Sequence, residues 1–536
     1  MGTRTAFWIG GVTVMNIENN LNKSSLSIQP VLPNYQVTSK EKLQFIMWLK
    51  LEYLINDKFI EDKLLKLPDM FICHLSGLFK SFVKNGKTNI AKEVIEKLVK
   101  LCGSFKLNPT LKEKAVALLA TECASICEKI ISGYSDKSLQ AQIDLLEREL
   151  DSLDVSYSNG KTQKAIIARY CCGKWWNRKL RTIHFQNIEC IAQLIGLVNG
   201  KRQKYVTNYS VECKKHSYSV HKTFFNSLLA MDETGTEHEL IDFVQASLSN
   251  PSHRQAELMM RMFGAAKYAQ SQQYNAHLVT ILCPKEMKAS YNGGRLNRNY
   301  INSSAREAND FINKVWKNTR SALDKKTKNY FGFRVAEPCK DGSPHWHMVV
   351  YSSQDETELV ISTLRKKINQ LYRFSGEEYA CKFHCKKLNE ESDVKTALHY
   401  LLKSTKQKIE GDSDAKERIS TWASANKIRQ YAQFGLPPIG LIRTARKLAK
   451  TSSLEIRALW NFSLKGDWLS FIENIGWKAG QRTKLNLKLY KKYSTNTDKY
   501  GDPYGLVTVG LKLNGVIHET QVQYWQIKFK GNTPNQ

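Results

Sequence analysis

Between residues 40 and 153 apolar positions recur every three or four residues, the spacing that puts them on one face of a helix. In "AKEVIEKLVKLC" the shared face holds Val94, Ile95, Leu98 and Leu101; in "LQAQIDLLERELDSL" it holds Leu139, Ile143, Leu146, Leu150 and Leu153. The period changes further along. "YNAHLVTILC" at 274–283 is β-branched and apolar, which predicts a strand, and a Gly/Asn loop then leads to a helix over about 304–323. "NYFGFRVAE" and "HWHMVVYS" are two more strands, and "PCKDGSP" between them carries the residues of a hairpin turn. A helix in "ELVISTLRKKINQLY", a strand in "EYACKFHCKKL" and a helix in "DVKTALHYLLKSTKQ" follow, then a polar, loop-like stretch at 405–418 and a helix at 441–450. Strand-like "YGLVTVGLKLNG" and "HETQVQYWQIKF" end the pattern. One hairpin with helices between strands predicts an α+β fold around an antiparallel sheet, behind an α-helical N-terminal region and ahead of a small mixed C-terminal one. The boundaries expected are 1–155 helical, 156–262 basic and helical, 263–450 for the sheet domain and 451–536 for the mixed end.

Composition adds one departure from the ordinary. Lys and Arg number 80 against 50 Asp and Glu, a net charge of +30, which suits a chain that neutralises phosphates. The apolar stretch "LQFIMWLKLEYLI" is too short to span a bilayer, and no lipidation signal suggests a membrane partner. "RTAFWIGGVTVM" lacks the small-residue cleavage site of an export signal. Twelve scattered cysteines in a chain of this size suit a reducing cytoplasm better than a disulfide framework. Cys123 with Cys127, and Cys381 with Cys385, are four apart, but neither has a second half, so chance placement is preferred to zinc. Basic residues interleave with aromatics in "KWWNRKLR", where Trp175 and Trp176 stack bases while Arg178 grips phosphate, or else anchor the helix in a core. In "LIRTARKLAK" the cations Arg443, Arg446, Lys447 and Lys450 form one helical stripe, for DNA or merely for solvent.

The candidate chemistry sits in "EPCKDGSPHWHMVVYSS". Side chains alternate along a strand, so His345 and His347 face one way and Trp346 the other. Folding the chain at Asp341-Gly342 brings Glu337 nearly opposite the histidines. Two imidazoles and a carboxylate make a three-ligand divalent-metal site with open positions, one of which can take a phosphate oxygen. The plainer alternative is two histidines hydrogen-bonded inside a sheet. In "ALHYLLKS" Tyr400 and Lys403 share a helical face; the phenol can attack a phosphodiester and the lysine can stabilise the phosphate charge. A half-buried tyrosine beside a solvated lysine would look the same.

"HLVTILCP", "FGFRVAEPCKDGSPHWHMVVY" and "TALHYLLKS" follow the order of the three motifs of HUH endonucleases. With "WASANKIRQYAQFGLPPIG" and "KWWNRKLR", the wording from about 160 to past 500 resembles the bacteriophage replication gene A protein family. The resemblance implies a site- and strand-specific endonuclease that nicks a replication origin, stays on the 5′ phosphate and starts rolling-circle replication. It implies Mg²⁺ or Mn²⁺ on His345, His347 and Glu337, Tyr400 as nucleophile with Lys403 beside it, and origin and single-stranded DNA as substrate. Host helicase and polymerase would be partners, in the bacterial cytoplasm. The family pattern has a second tyrosine four residues on, where this chain has Ser404. That departure keeps a single-tyrosine transposase or relaxase as an alternative; a lapsed DNA-binding protein is another.

Overall fold

The computed structural model describes the backbone of residues 4–9 and 12–17 and most of residues 39–530. The stretches 53, 56–60, 62–63, 65–66, 151–157, 292–293, 403–412, 449–452, 481–484 and 521–524 fall outside the described residues. Arg4–Ile9 and Val12–Ile17 pair as an antiparallel ribbon. Helices then dominate, as the periodicity predicts up to residue 153, with Ile72–Lys84, Thr88–Ser104, Glu113–Gly133 and Leu139–Leu150, and they continue through the basic stretch as Gln163–Tyr170, Gly173–Leu194 and Asn208–Asn226. Val94, Ile95, Leu98 and Leu101 are all buried on the expected face, as are Ile143 and Leu146.

The central sheet is where the sequence pattern and the structure agree most closely. Helix α1 (Pro251–Ser271) leads into strand β1 (Asn275–Leu282), helix α2 (Ala305–Asp324) and the hairpin strands β2 (Tyr330–Pro338) and β3 (Pro344–Ser352). Helix α3 (Thr357–Ile368), strand β4 (Lys382–Leu388), helix α4 (Glu391–Leu401), helix α5 (Ser413–Ala425) and strand β5 (Tyr431–Phe434) complete it. The spatial order is β4-β1-β3-β2-β5, and every neighbouring pair is antiparallel, so the α+β expectation holds. Helix α5 occupies 413–418 of the stretch expected to be loop, whose earlier part lies outside the described residues.

Each face of the sheet has its own core because strand side chains alternate. Phe331, Phe333, Val335, Val349 and Tyr351 pack under α1, α4 and the C-terminal helices Leu454–Lys465 and Trp468–Asn474. Val279, Ile281, Trp346, Met348 and Val350 pack on the opposite face, with α2 and α3. Trp346 is fully buried there; its indole N–H donates to Asn309 at 3.0 Å and the Arg334 guanidinium lies 3.9 Å from its ring centre. Helix α2 starts on a reciprocal cap, with Ser304 and Glu307 satisfying each other's backbone N–H groups.

The two C-terminal strand stretches part company. "YGLVTVGLKLNG" lies mostly in the middle strand of a sheet formed by Leu487–Thr497, Pro503–Leu513 and Val516–Glu519. Gln526–Phe529 instead pairs with Leu228–Met231, far back in the chain. Asp498 and Asp502 likewise return to Arg169, at 2.8 and 2.7 Å.

One buried histidine makes the helical region acid-sensitive. Burial, helped by the nearby Arg181 charge, pushes His184 down to about 4. Its folded value lies below the unfolded one, so the unfolded chain binds the proton first and stability falls as pH drops from about 6.5 through 4. The loss attributable to this group approaches roughly 3 kcal/mol. Urea unfolding of a His184→Leu variant is expected to show a correspondingly smaller loss between pH 7 and pH 4.5; an undiminished loss would contradict the assignment.

Candidate active site

The hairpin register brings the site together. Glu337 on β2 is the direct cross-strand partner of His345 on β3, and His347 follows one step along the same face. That face also receives α4, which leans on the sheet through Leu398 and Leu401 and carries Tyr400 towards the histidines. Glu337, His345 and His347 offer ligand atoms that all lie within 4.8 Å of one another, the one such group of three or more among the described residues. Cys123, Cys127, Cys381 and Cys385 are free thiols outside it.

The ring nitrogens have distinct partners on their two sides. His347 Nδ1 is 2.9 Å from the Thr280 hydroxyl on β1, and His345 Nδ1 is 3.4 Å from the Cys339 sulfur. Partners at Nδ1 leave the Nε2 atoms as the inward pair, and these face each other at 3.0 Å. Two lone pairs at that distance repel unless a proton or a metal ion lies between them. Burial, then the His347 imidazole and Lys288, push His345 down to about 3, and burial brings His347 to about 4. Both rings are therefore neutral at pH 7, the form that ligates metal. With Glu337 the donor set suits a hard or borderline divalent ion, and the residues fit the expected group.

The Tyr400 hydroxyl lies 3.2 Å from His347 Nε2, and the residue is 43% exposed, so this side of the site is open to solvent. The Tyr400 pKa is raised, first by burial and then by the fields of Glu337, Tyr205 and Cys339. Added positive charge at the triad would offset the Glu337 contribution. Tyr205 is held in the left-handed region, with φ of 72°, and its N–H donates to the Lys340 carbonyl at the hairpin tip. Lys403 and Ser404 lie outside the described residues.

The basic motifs come out differently. Trp175 and Trp176 are 6% and 0% exposed, packed edge to face at 5.0 Å. The Trp176 indole donates to the Tyr170 carbonyl at 2.7 Å. Base stacking by this pair is corrected to core anchoring, because both rings are enclosed by the helices of the N-terminal region. Arg178 does reach the surface, with one N–H on the Tyr500 phenol at 2.9 Å. The stripe at 443–450 is corrected too. Its helix, α6, covers only Gly440–Ala445, and Arg443 makes a two-pronged contact with buried Glu257 at 2.9 and 2.6 Å. Arg446 lies 4.0 Å from the same carboxylate and donates to the Ser463 carbonyl. Burial lowers Lys447 to about 8, while Lys450 lies outside the described residues. Those arginines are pulled inward by a carboxylate that costs too much to bury alone.

These elements place a candidate metal triad beside Tyr400 on an antiparallel sheet. The family model for bacteriophage replication gene A protein (GPA) matches residues 87–412, and the chain belongs to that family. The replication protein of Haemophilus phage HP1 is 28% identical over 387 residues, 68% of this chain and 48% of that protein. A probable replication endonuclease from a prophage-like region of Salmonella typhimurium is 29% identical over 298 residues, 53% of this chain and 37% of that protein. The matched span thus covers less than half the length of these relatives. No solved structure matches.

Two expectations follow. Mn²⁺ should raise the unfolding temperature of the wild-type chain by several degrees, and His345→Ala or His347→Ala should remove most of that rise. An equal Mn²⁺ shift in both variants would contradict the triad. Arg443→Met should cost about 2 kcal/mol, because Glu257 loses its closest partner, while leaving the salt dependence of single-strand binding unchanged. A salt slope smaller by about one unit with unchanged stability would restore Arg443 as a phosphate contact.

Proposed function

We propose that this chain is a site- and strand-specific DNA endonuclease that nicks a replication origin through Tyr400 and starts rolling-circle replication. The observation that carries the reading is the Tyr400 phenol at 3.2 Å from His347, inside a cluster of two neutral imidazoles and a carboxylate. Glu337, His345 and His347 would hold a divalent ion, Mg²⁺ or Mn²⁺, which would supply Lewis-acid polarisation of the scissile phosphate. Tyr400 Oη attacks phosphorus, the P–O3′ bond breaks, and the phenol proton passes to solvent. The leaving oxygen takes a proton to become a free 3′ hydroxyl, and the 5′ phosphate stays on the tyrosine. Thr280 and Cys339 hold the imidazoles in the orientation that points Nε2 inward. Lys403, one turn from Tyr400 on the sequence, is assigned to the phosphate charge.

Origin and single-stranded DNA are the substrates, the free 3′ end passes to the host helicase and polymerase, and the work is done in the bacterial cytoplasm. Family membership supports this reading, and among the described residues no helix is long and apolar enough to cross a membrane. Ser404 in place of the family's second tyrosine favours one further possibility, a single-tyrosine transposase or relaxase.

The test uses a random-sequence pool of single-stranded oligonucleotides with Mn²⁺. Wild-type chain should form an SDS-resistant adduct that maps to the Tyr400 peptide and vanishes with chelator. Tyr400→Phe should lose at least a hundredfold in adduct while binding the pool within a few fold of wild type. An adduct that persists in that variant on another residue would overturn the nucleophile assignment.

A further inference from the structure

Beside the metal triad lies a cavity of about 580 Å³, within the range of sites that enclose small organic groups. The end of β1, the tip of the β2–β3 hairpin and the residues just before β4 form its walls. Cys339 belongs to both places: it lines the cavity, and its sulfur is 3.4 Å from His345 Nδ1. The cavity is therefore one side chain away from the proposed reaction centre.

Its lining is mixed in the way a nucleotide requires. Tyr291 contributes an exposed aromatic ring, with the guanidinium of Arg295 5.2 Å from its centre, and Tyr379 lines the wall from a mostly buried position against Phe374. Lys288 reaches in from the wall, its ammonium 4.0 Å from the Cys339 sulfur, and Lys340 and Lys382 are exposed at the rim. Of the three carboxylates in the lining, Asp341 is buried and turned inward, accepting from the backbone N–H groups of Ser290 and Ser343, while Glu286 is half-buried and Glu378 is exposed. Lys285, Lys288, Lys340 and Lys382 together outnumber these carboxylates. Aromatic faces with ammonium groups around them are the common means of holding unpaired nucleotides, by stacking on the base and neutralising the phosphate.

We infer that this cavity holds the base of the unpaired nucleotide next to the scissile phosphate, with Lys288, Lys340 and Lys382 on the adjoining backbone. The inference rests on the endonuclease reading, since only a strand threaded past the triad has a nucleotide so close. It makes the cavity a determinant of which sequence is cut, at the position one nucleotide from the nick.

The experiment repeats the oligonucleotide pool with 5-iodo-deoxyuridine in place of thymidine, bound to the full chain, irradiated and mapped by peptide mass spectrometry. Cross-links are expected on the peptides carrying Tyr291 or Tyr379, and Lys382→Ala, a change at the exposed rim, should lower their yield about fivefold. The Lys382→Ala chain should keep the wild-type unfolding temperature, which separates lost contact from lost fold. Cross-links confined to other peptides, or an unchanged yield in Lys382→Ala, would overturn the subsite. The adduct at Tyr400 is scored in the same samples without irradiation. An adduct without cavity cross-links defeats the subsite alone, whereas cavity cross-links without an adduct would show a nucleotide in the cavity but defeat the endonuclease reading and, with it, the subsite's place beside a scissile phosphate.

Discussion

The register of one hairpin is the constraint on which the rest depends. Glu337 opposes His345 only because β2 and β3 turn at Asp341-Gly342, where Gly342 adopts a φ of +82°. A side chain there would be strained, and its Cβ would also lie 2.3 Å from the Gln193 amide and 3.0 Å from the Tyr205 carbonyl. Those neighbours belong to the helix Gly173–Leu194 and the loop after it, so the turn is clasped from outside the sheet. The Trp422 indole on α5 adds a hydrogen bond to the Gly342 carbonyl at 2.7 Å. A slip of one residue would exchange His345 and His347 for Trp346 on the site face and bury the imidazoles in the opposite core. Trp346, enclosed against α2, opposes that slip with the burial of a whole indole.

The same two-faced sheet explains why a polar site is compatible with a dense core. Val349 and Tyr351, further along the histidine face, are buried under α1 and α4. Towards the hairpin tip the face opens, and Tyr400 meets His347 where the helix still has solvent on its far side. Burial keeps the rings neutral at one end of the contact, and exposure leaves the phenol reachable at the other.

What could be read from the sequence was local. The alternation of "HWHMVVY", the turn residues of "PCKDGSP" and the short distance from Glu337 to His345 define the triad without any distant partner. The helix bearing Tyr400 was legible from its apolar face, and the family wording carried the rest of the assignment. What was misread depends on partners far away in the chain. Arg443 is held by Glu257, 186 residues earlier, so its stripe looked like a free cationic face. Trp175 and Trp176 sit among cations in the sequence, but the helix turns both indoles inward. Thr280 and Tyr205 reach the site from another strand and a loop with nothing in their own surroundings to signal it, and Cys339, inside the hairpin motif itself, gains its role only from its contact with His345. The pairing of Gln526–Phe529 with Leu228–Met231 is of the same kind. Only tertiary contact creates these features.

The central claim is that Glu337, His345 and His347 form one coordination sphere beneath Tyr400. Pulsed electron paramagnetic resonance of the intact chain loaded with one equivalent of Mn²⁺ measures the nitrogen atoms bound directly to the ion. Two imidazole couplings are expected in the wild type, one in each single His→Ala variant at position 345 or 347, and none in the double variant. A wild-type spectrum without directly bound nitrogen, with Mn²⁺ held by oxygen ligands alone, would contradict the claim.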